Sequence, residues 1–202
     1  MVTLEEKDKL EVLKTYVETS DCIWKEVGIG EPVDNGFVIN KVFDNWLVYF
    51  SAEGSKIDVC RFVNYKDAIN EFITRVFSRK NIDKKIKEFE LLELQKESEV
   101  LNILGDTLRN NGVCDLEFSL SGRSLYNGTV LTKSFDNSWQ VADVSMGNRQ
   151  SISSFRDLYT AANEIIGRLV GPDADIAYEE FLTRTQEKKE KHPVKVLNCF
   201  VK

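Results

Sequence analysis

Histidine and proline are scarce in this sequence, and their scarcity narrows the functions that it can carry. The 202 residues include one histidine, His192, and three prolines. A single histidine excludes zinc sites built from several histidines, and it leaves Ser-His or Cys-His catalysis dependent on one residue of a lysine-rich tail. No glycine-rich loop of the P-loop type is present. We therefore predict a binding protein that is not an enzyme and uses no metal ion and no cofactor.

Closely spaced cysteines are also absent. The cysteines lie far apart in the chain and form no C-x-x-C pair, which is the spacing that structural zinc sites use. Disulfides are rare in the cytosol, where thiols are kept reduced. We interpret all four cysteines as buried free thiols: Cys22, Cys60, Cys114 and Cys199.

Long apolar runs are missing as well. The longest, from Trp46 to Phe50, has five residues, whereas a helix needs roughly 20 to cross a bilayer. The N-terminal residues mix acids with lysines and include no apolar stretch typical of a signal peptide. We expect a cytoplasmic protein that does not bind membranes.

The charge is moderately acidic, with a net charge of -6 and a pI near 5.1. Binding to a nucleic-acid backbone requires clustered Lys and Arg, so this balance opposes a nucleic-acid partner. An acidic surface favours a basic partner instead. Much of the excess lies in the first 31 residues, which hold eight acids against four lysines.

What the sequence does contain is an internal repeat. Residues 22 to 45 match residues 114 to 137 at an offset of 92, and after one inserted residue, Ser138, residues 46 to 75 match residues 139 to 168 at an offset of 93. Such self-similarity indicates a duplicated structural module. The identical pairs include Gly36 with Gly128, Lys41 with Lys133, Phe43 with Phe135, Trp46 with Trp139, Gly54 with Gly147, Phe62 with Phe155, Glu71 with Glu164, and Arg75 with Arg168.

The repeated segments read as strands followed by a helix. β-Branched and aromatic residues between turn pairs predict antiparallel strands at residues 37–43, 46–52 and 56–62, and their counterparts in the second copy. A helix with one apolar face follows each set. The first face is Ala68, Ile69, Phe72, Ile73, Val76 and Phe77, and the second is Ala161, Ala162, Ile165, Ile166, Leu169 and Val170.

A further helix precedes each copy, so the predicted fold is α+β, with tandem α-β-β-β-α units and antiparallel sheets packed against helices. We expect the first unit at residues 1–80 and the second at 81–170. Residues 171–202 form a C-terminal extension with a helix and a strand, the strand at residues 193–201. The pattern leaves open whether the two units share one continuous sheet.

Most repeated residues are expected to serve the scaffold. Asn64 and Asp157 are predicted helix N-caps. Glu71 and Glu164 are expected to pair with arginines four residues later, although paired carboxylates could also perform acid-base catalysis. Six repeated aromatic residues are predicted to lie in the core: Trp46, Trp139, Phe43, Phe135, Phe62 and Phe155.

One stretch of the first copy also carries a resemblance. Residues 46 to 54 read WLVYFSAEG, and Phe62 and Ala68 follow. This stretch resembles the W-x-V-Y-Y-x-E-R-G hairpin motif of small bacterial immunity proteins that neutralise polymorphic toxins. The resemblance covers roughly residues 35 to 77, and Ala52 and Glu53 stand where the family has Glu-Arg.

The resemblance implies a cytoplasmic, non-enzymatic inhibitor that binds one secreted toxin and blocks its active site. Some such proteins are encoded beside toxins of the NAD-glycohydrolase class. The candidate partner-binding residues are the hairpin residue Glu53 and the acids of the extension, Asp173, Asp175, Glu179 and Glu180, with the acidic N-terminal helix as a further candidate. The alternative hypothesis is a small-molecule-binding regulatory module with a ligand pocket between the two repeats.

Overall fold

The computed structural model describes residues 4 to 191, apart from 25, 121, 123 and 124. Within this range, helices and two four-stranded mixed sheets make an α+β fold, so the predicted fold class is confirmed. The predicted C-terminal strand at 193–201 lies outside the described residues, as do His192 and Cys199.

The first half of the chain forms one sheet with order β1-β2-β3-β4. Its elements are α1 (Leu4–Thr19), β1 (Val27–Ile29), β2 (Gly36–Val42), β3 (Asn45–Ala52), β4 (Ser55–Phe62), α2 (Tyr65–Val76), a 3-10 turn (Arg79–Asn81) and the long helix α3 (Ile82–Asn110).

The second half repeats this order with a separate sheet, β5-β6-β7-β8. Its elements are β5 (Phe118–Ser119), β6 (Gly128–Lys133), β7 (Trp139–Ser145), β8 (Asn148–Phe155), α4 (Leu158–Val170), a 3-10 turn (Gly171–Asp173) and α5 (Ala174–Lys191). None of the helices in the described residues is long and apolar enough to span a membrane.

Each sheet has one strand more than predicted. The three predicted strands of each copy pair antiparallel, as expected. The prediction missed β1, which pairs with β2 in parallel, and β5, which pairs with β6 in parallel, so both sheets are mixed. Strands of three and two residues are too short to show a hydrophobic alternation. The sequence signal for β1 and β5 is a glycine repeated in the neighbouring strand, Gly36 in β2 and Gly128 in β6, because a side chain there would collide with the adjacent backbone. A Cβ at Gly36 would lie 2.2 Å from the Glu26 carbonyl oxygen, and one at Gly128 would lie 2.4 Å from that of Glu117.

The helix that follows each sheet buries the predicted face. The six residues of the α2 face are at most 2% exposed, and four residues of the α4 face are buried while Leu169 and Val170 pack partly buried at its edge. Both predicted N-caps are confirmed. Asn64 Oδ1 accepts a hydrogen bond from the Asp67 N–H at 2.8 Å, and Asp157 Oδ1 accepts one from the Thr160 N–H at 2.8 Å.

The repeated aromatic residues divide into a core group and an exposed group. Trp46 and Trp139 are 2% exposed, and Phe62 and Phe155 are partly buried against the cores. The prediction is wrong for the other pair, because Phe43 and Phe135 lie in the β2–β3 and β6–β7 turns and are 86% and 108% exposed. Phe43 also has a positive φ of 53°, a conformation that costs a non-glycine residue about 1 to 2 kcal/mol.

Helix α3 serves both halves of the chain. By residue contacts the chain divides into two compact units, between Gln95 and Lys96, inside this helix. The first part of α3 supplies Phe89 to the core of the first unit, and the second part supplies Leu104 and other residues to the core of the second. The boundary was predicted after residue 80, but it lies within α3. The reason is that the first part of this 29-residue helix packs in the core of the first unit and the second part packs in the core of the second.

Helix α5 has a counterpart in the first unit. In both units a 3-10 turn follows the sheet-covering helix and leads into another helix, which is the first part of α3 in one unit and α5 in the other. Phe89 and Phe181, which lie 92 positions apart, are 1% and 0% exposed in their cores. The extension is therefore not unique to one copy, since its helix completes the second unit.

We expect Phe89→Ala and Phe181→Ala each to lower the free energy of unfolding by about 3–5 kcal/mol, because each leaves a cavity in a core. Urea denaturation followed by circular dichroism measures the change. Leu91→Ala is the control, since Leu91 is 55% exposed on α3 and its loss should cost about 0.5 kcal/mol or less. A Phe181→Ala protein as stable as this control would show that α5 is not part of the second core.

Candidate protein-binding surface

The repeated Glu and Arg residues form ion pairs within their own helices. Arg75 Nε donates to Glu71 Oε1 at 2.7 Å, and Arg168 Nη2 donates to Glu164 Oε1 at 2.7 Å. The predicted pairing of residues four positions apart is thus confirmed. Burial alone would lower the pKa of Arg75, but the hydrogen bond and charge of Glu71, together with smaller contributions from Cys60 and Asp58, raise that pKa overall.

The same arginines hold a β-bulge in each sheet. Residues Asp58 and Ser151 have positive φ values of 56° and 48°, at points where the pairing register of β4 and β8 shifts. Arg75 Nη1 donates to the Asp58 carbonyl oxygen at 2.9 Å, and Arg168 Nη1 donates to that of Ser151 at 2.8 Å. The repeated Glu-Arg pair therefore ties each covering helix to the bulge of its edge strand.

The repeated lysines also serve the scaffold. Lys41 is ion-paired with Glu6 of α1, and Lys133 is ion-paired with Glu97 of α3. Their ammonium groups lie 5.7 Å from the Trp46 ring centroid and 5.3 Å from that of Trp139. Each lysine thus covers the buried tryptophan of its sheet and joins that sheet to the preceding helix.

The first unit has a cluster of exposed and partly buried aromatic and aliphatic side chains on the helix-covered face of its sheet. Phe37, Phe50 and Ile57 lie side by side on three neighbouring strands. The Trp24 ring packs against both phenylalanine rings, with centroid distances of 4.9 Å and 5.5 Å. Trp24 is 37% exposed and Ile57 is 51% exposed. We call Trp24, Phe37, Phe50 and Ile57 the aromatic row.

In the second unit the equivalent positions are mostly polar. They are Leu116, Thr129, Asp143 and Gln150. Thr129 Oγ1 donates to Asp143 Oδ1 at 3.0 Å, and Arg168 Nη1 lies 3.2 Å from Asp143 Oδ2. The same place in a duplicated fold is therefore aromatic in one unit and hydrogen-bonded and charged in the other.

The predicted site residue Glu53 lies beside the aromatic row. It opens the β3–β4 turn, three residues after Phe50, at the end of the sheet where the row lies. Glu26 immediately precedes β1 at the same end, since a Cβ on Gly36 would meet its backbone. Both glutamates are exposed, and neither forms an ion pair with a residue that the structure describes.

The predicted acids of the extension fall into two groups in the second unit. Asp173, Asp175 and Glu179 are exposed at the start of α5, beside Ile176, which is 70% exposed. Glu180 is engaged within the unit instead. Its carboxylate accepts hydrogen bonds from the side chains of Asn110 and Asn111 at 3.3 Å, and it lies 3.5 Å from Arg184. Glu180 thus holds α5 to the end of α3.

The cysteines are less buried than predicted. Cys22 and Cys60 are free and partly buried, whereas Cys114 is free and exposed, so its interpretation as a buried thiol is wrong. Burial raises the pKa of the Cys22 thiol. Cys114 is exposed because it lies in the loop between α3 and β5. Among the described residues, no three His, Cys, Asp or Glu side chains gather so as to hold a metal ion.

Shallow depressions occur on both sheets. One of about 350 Å³ is lined by Tyr49 and Lys56 with their neighbours, and another of about 430 Å³ is lined by Phe135 and Arg149 with theirs. Each is formed by residues of a single unit and opens widely to solvent. Ligand sites usually enclose most of a small molecule, which an open depression of this kind does not do.

Comparison of the chain with models of known protein families, with curated proteins and with solved structures found no match. No related protein therefore indicates which surface binds a partner, and the candidate surface is identified from the residues of this chain alone. Sequence reasoning missed the aromatic row, although a signal was present. Aligned positions at which one copy is aromatic and the other polar, such as Phe37 with Thr129 and Phe50 with Asp143, mark places that the scaffold does not constrain.

We expect Arg168→Gln to lower the free energy of unfolding by about 1–3 kcal/mol, because it removes hydrogen bonds from a charged group to the bulge and leaves Glu164 without its partner. Urea denaturation measures the change. Lys66→Gln is the control, because Lys66 forms an ion pair with Glu90 in which the two side chains are 68% and 41% exposed, respectively. Such an exposed pair is expected to contribute about 0–1 kcal/mol. Equal losses in the two variants would contradict a structural role for Arg168.

Proposed function

We propose that this protein is a cytoplasmic immunity protein that binds a secreted bacterial toxin and occludes its active site without catalysing a reaction. One observation carries the proposal. The repeated polar side chains are engaged in scaffold contacts, while exposed apolar side chains stand next to acids that have no ion-pair partner among the described residues. Exposed apolar groups flanked by charges are typical of protein interaction sites.

The state of the duplicated carboxylates favours binding over catalysis. A general acid or base needs a proton-accepting group that can reach a substrate. Glu71 and Glu164 are instead ion-paired with arginines that are themselves bonded to backbone carbonyl groups. The acids that stay exposed, such as Asp175 and Glu179, lie on the surface of α5 and not in a cleft.

The resemblance of residues 46 to 54 to an immunity-protein motif supports a toxin as the partner, and a toxin of the NAD-glycohydrolase class is the specific candidate. An enzyme that binds the phosphates of NAD presents basic groups at its active site. Acids at Glu53 of the first unit, or at Asp173, Asp175 and Glu179 of the second, would steer the two proteins together and occupy the place of the substrate. The proposal requires no contact with nucleic acid or membrane.

The test uses the purified protein and the product of the toxin gene adjacent to its own gene. We expect a stable one-to-one complex by gel filtration and loss of the toxin's reaction, measured as NAD hydrolysis for a NAD-glycohydrolase. Full toxin activity in the presence of excess protein would overturn the proposal. A rise in melting temperature of several degrees with a nucleotide or metabolite, and none with the toxin, would favour the ligand-binding alternative.

We expect the double variant Asp175→Lys and Glu179→Lys to slow association with the toxin about tenfold or more at low salt, and less at high salt, because rim charges act mainly on the association rate. Surface plasmon resonance measures the rate. The matched control is Asp44→Lys with Asp83→Lys, which changes the net charge by the same amount. Asp83 is the second residue of α3 as Asp175 is of α5, and both control acids are exposed. Equal slowing in both variants would exclude a specific role for the α5 acids.

A further inference from the structure

We infer, resting on the proposed function, that the aromatic row is the apolar anchor of the interface with the partner. It receives a segment of the partner protein in which an apolar side chain is flanked by lysine or arginine. The inference assigns partner binding to residues Trp24, Phe37, Phe50 and Ile57 of the first unit. Their counterparts in the second unit, which are polar except for Leu116, make no equivalent contact.

Contacts within the first unit position the three aromatic rings of the row before any partner binds. The rings of Phe37 and Phe50 meet at a centroid distance of 5.2 Å and an interplanar angle of 69°, and Trp24 meets Phe37 edge-on at 89°. The indole N–H of Trp24 donates to the Arg75 carbonyl oxygen at 3.2 Å. Side chains fixed in this way lose little conformational freedom on binding, so more of the contact free energy appears as affinity.

The fold does not require apolar side chains at the three strand positions of the row, Phe37, Phe50 and Ile57. The second unit has the same strands, bulge and arginine with Thr129, Asp143 and Gln150 in the equivalent places. Exposed apolar groups cost solubility, whereas this polar alternative is satisfied by its own hydrogen bonds. Partly exposed Trp and other aromatic side chains are also the residues that most often carry the affinity of protein interfaces. We therefore attribute the apolar row to a partner.

Charge determines the kind of partner. Glu26 and Glu53 are exposed beside the row, and Asp58, which follows Ile57, has a 78% exposed side chain. Among the residues that the structure describes, the basic groups near the row are engaged within the first unit. Lys56 lies over the Tyr49 ring at 4.8 Å, on the opposite face of the sheet. The Arg75 guanidinium lies 5.9 Å from the Phe37 ring centroid, but its charge is paired, since it is bonded to Glu71 and Asp58. An acidic rim around an apolar centre fits an apolar side chain with basic neighbours.

Trp24 provides a direct readout of contact at the row. The chain has three tryptophans, and the other two, Trp46 and Trp139, are 2% exposed. Acrylamide quenching of tryptophan fluorescence therefore reports mainly on Trp24. With a tryptophan-free variant of the adjacent toxin product as the probe, we expect the quenching constant of the unaltered protein to fall at least twofold on binding.

The matching variants exchange the row for residues that the second unit already accommodates. Phe37→Thr with Phe50→Asp is expected to weaken binding at least 30-fold by calorimetry, as loss of a central anchor does. Ile57→Gln alone changes an exposed position, so it keeps the test valid if the double variant does not fold. The control is Phe43→Ser with Phe135→Ser, which removes two exposed phenylalanines elsewhere and is expected to bind like the unaltered protein.

The outcomes separate the two proposals. Absence of binding by the unaltered protein would overturn the proposed function and this inference with it. Tight binding with unchanged Trp24 quenching, and with unchanged affinity of both row variants, would overturn the inference alone. Concentration-dependent protection of Trp24 without toxin would show that a second copy of this chain covers the row, and would also overturn it.

Discussion

Each unit depends on the burial of one tryptophan between its sheet and its helices. Trp46 and Trp139 are both 2% exposed, and each lies beneath a lysine that is ion-paired with the preceding helix. Removing a large aromatic side chain from water stabilises a fold by roughly 4 to 6 kcal/mol at 25 cal/mol per Å². The covering helices pack around this ring, and the Glu-Arg pair then fixes each helix to the bulge of the edge strand.

This arrangement explains why duplication left so much of the surface free to diverge. The scaffold requires the tryptophan, the lysine, the bulge and its arginine, and both copies keep them. It does not require particular side chains in the row next to the bulge, where one copy has Phe50 and the other has Asp143. A single chain therefore carries one apolar and one polar version of the same place in the fold.

Sequence reasoning was reliable where the determining interactions are local. Helix faces, the caps at Asn64 and Asp157, and pairs four residues apart follow from the geometry of one helix. It failed where a contact joins distant segments. The parallel strands β1 and β5 are visible only through the glycines that they approach, and Phe43 shares its strand pattern with buried neighbours although the chain turns at that residue.

The sequence by itself determined the repeat, the α+β class, the strands of each hairpin sheet and the apolar face of each covering helix, because periodicity and turn residues encode these directly. Only the tertiary structure decided that α3 serves two cores, that α5 completes the second unit, and that Trp24 joins Phe37, Phe50 and Ile57 in a partly exposed row. The reason is physical. Local preferences set which face of a segment is apolar, but the packing of distant segments sets which apolar side chains are covered.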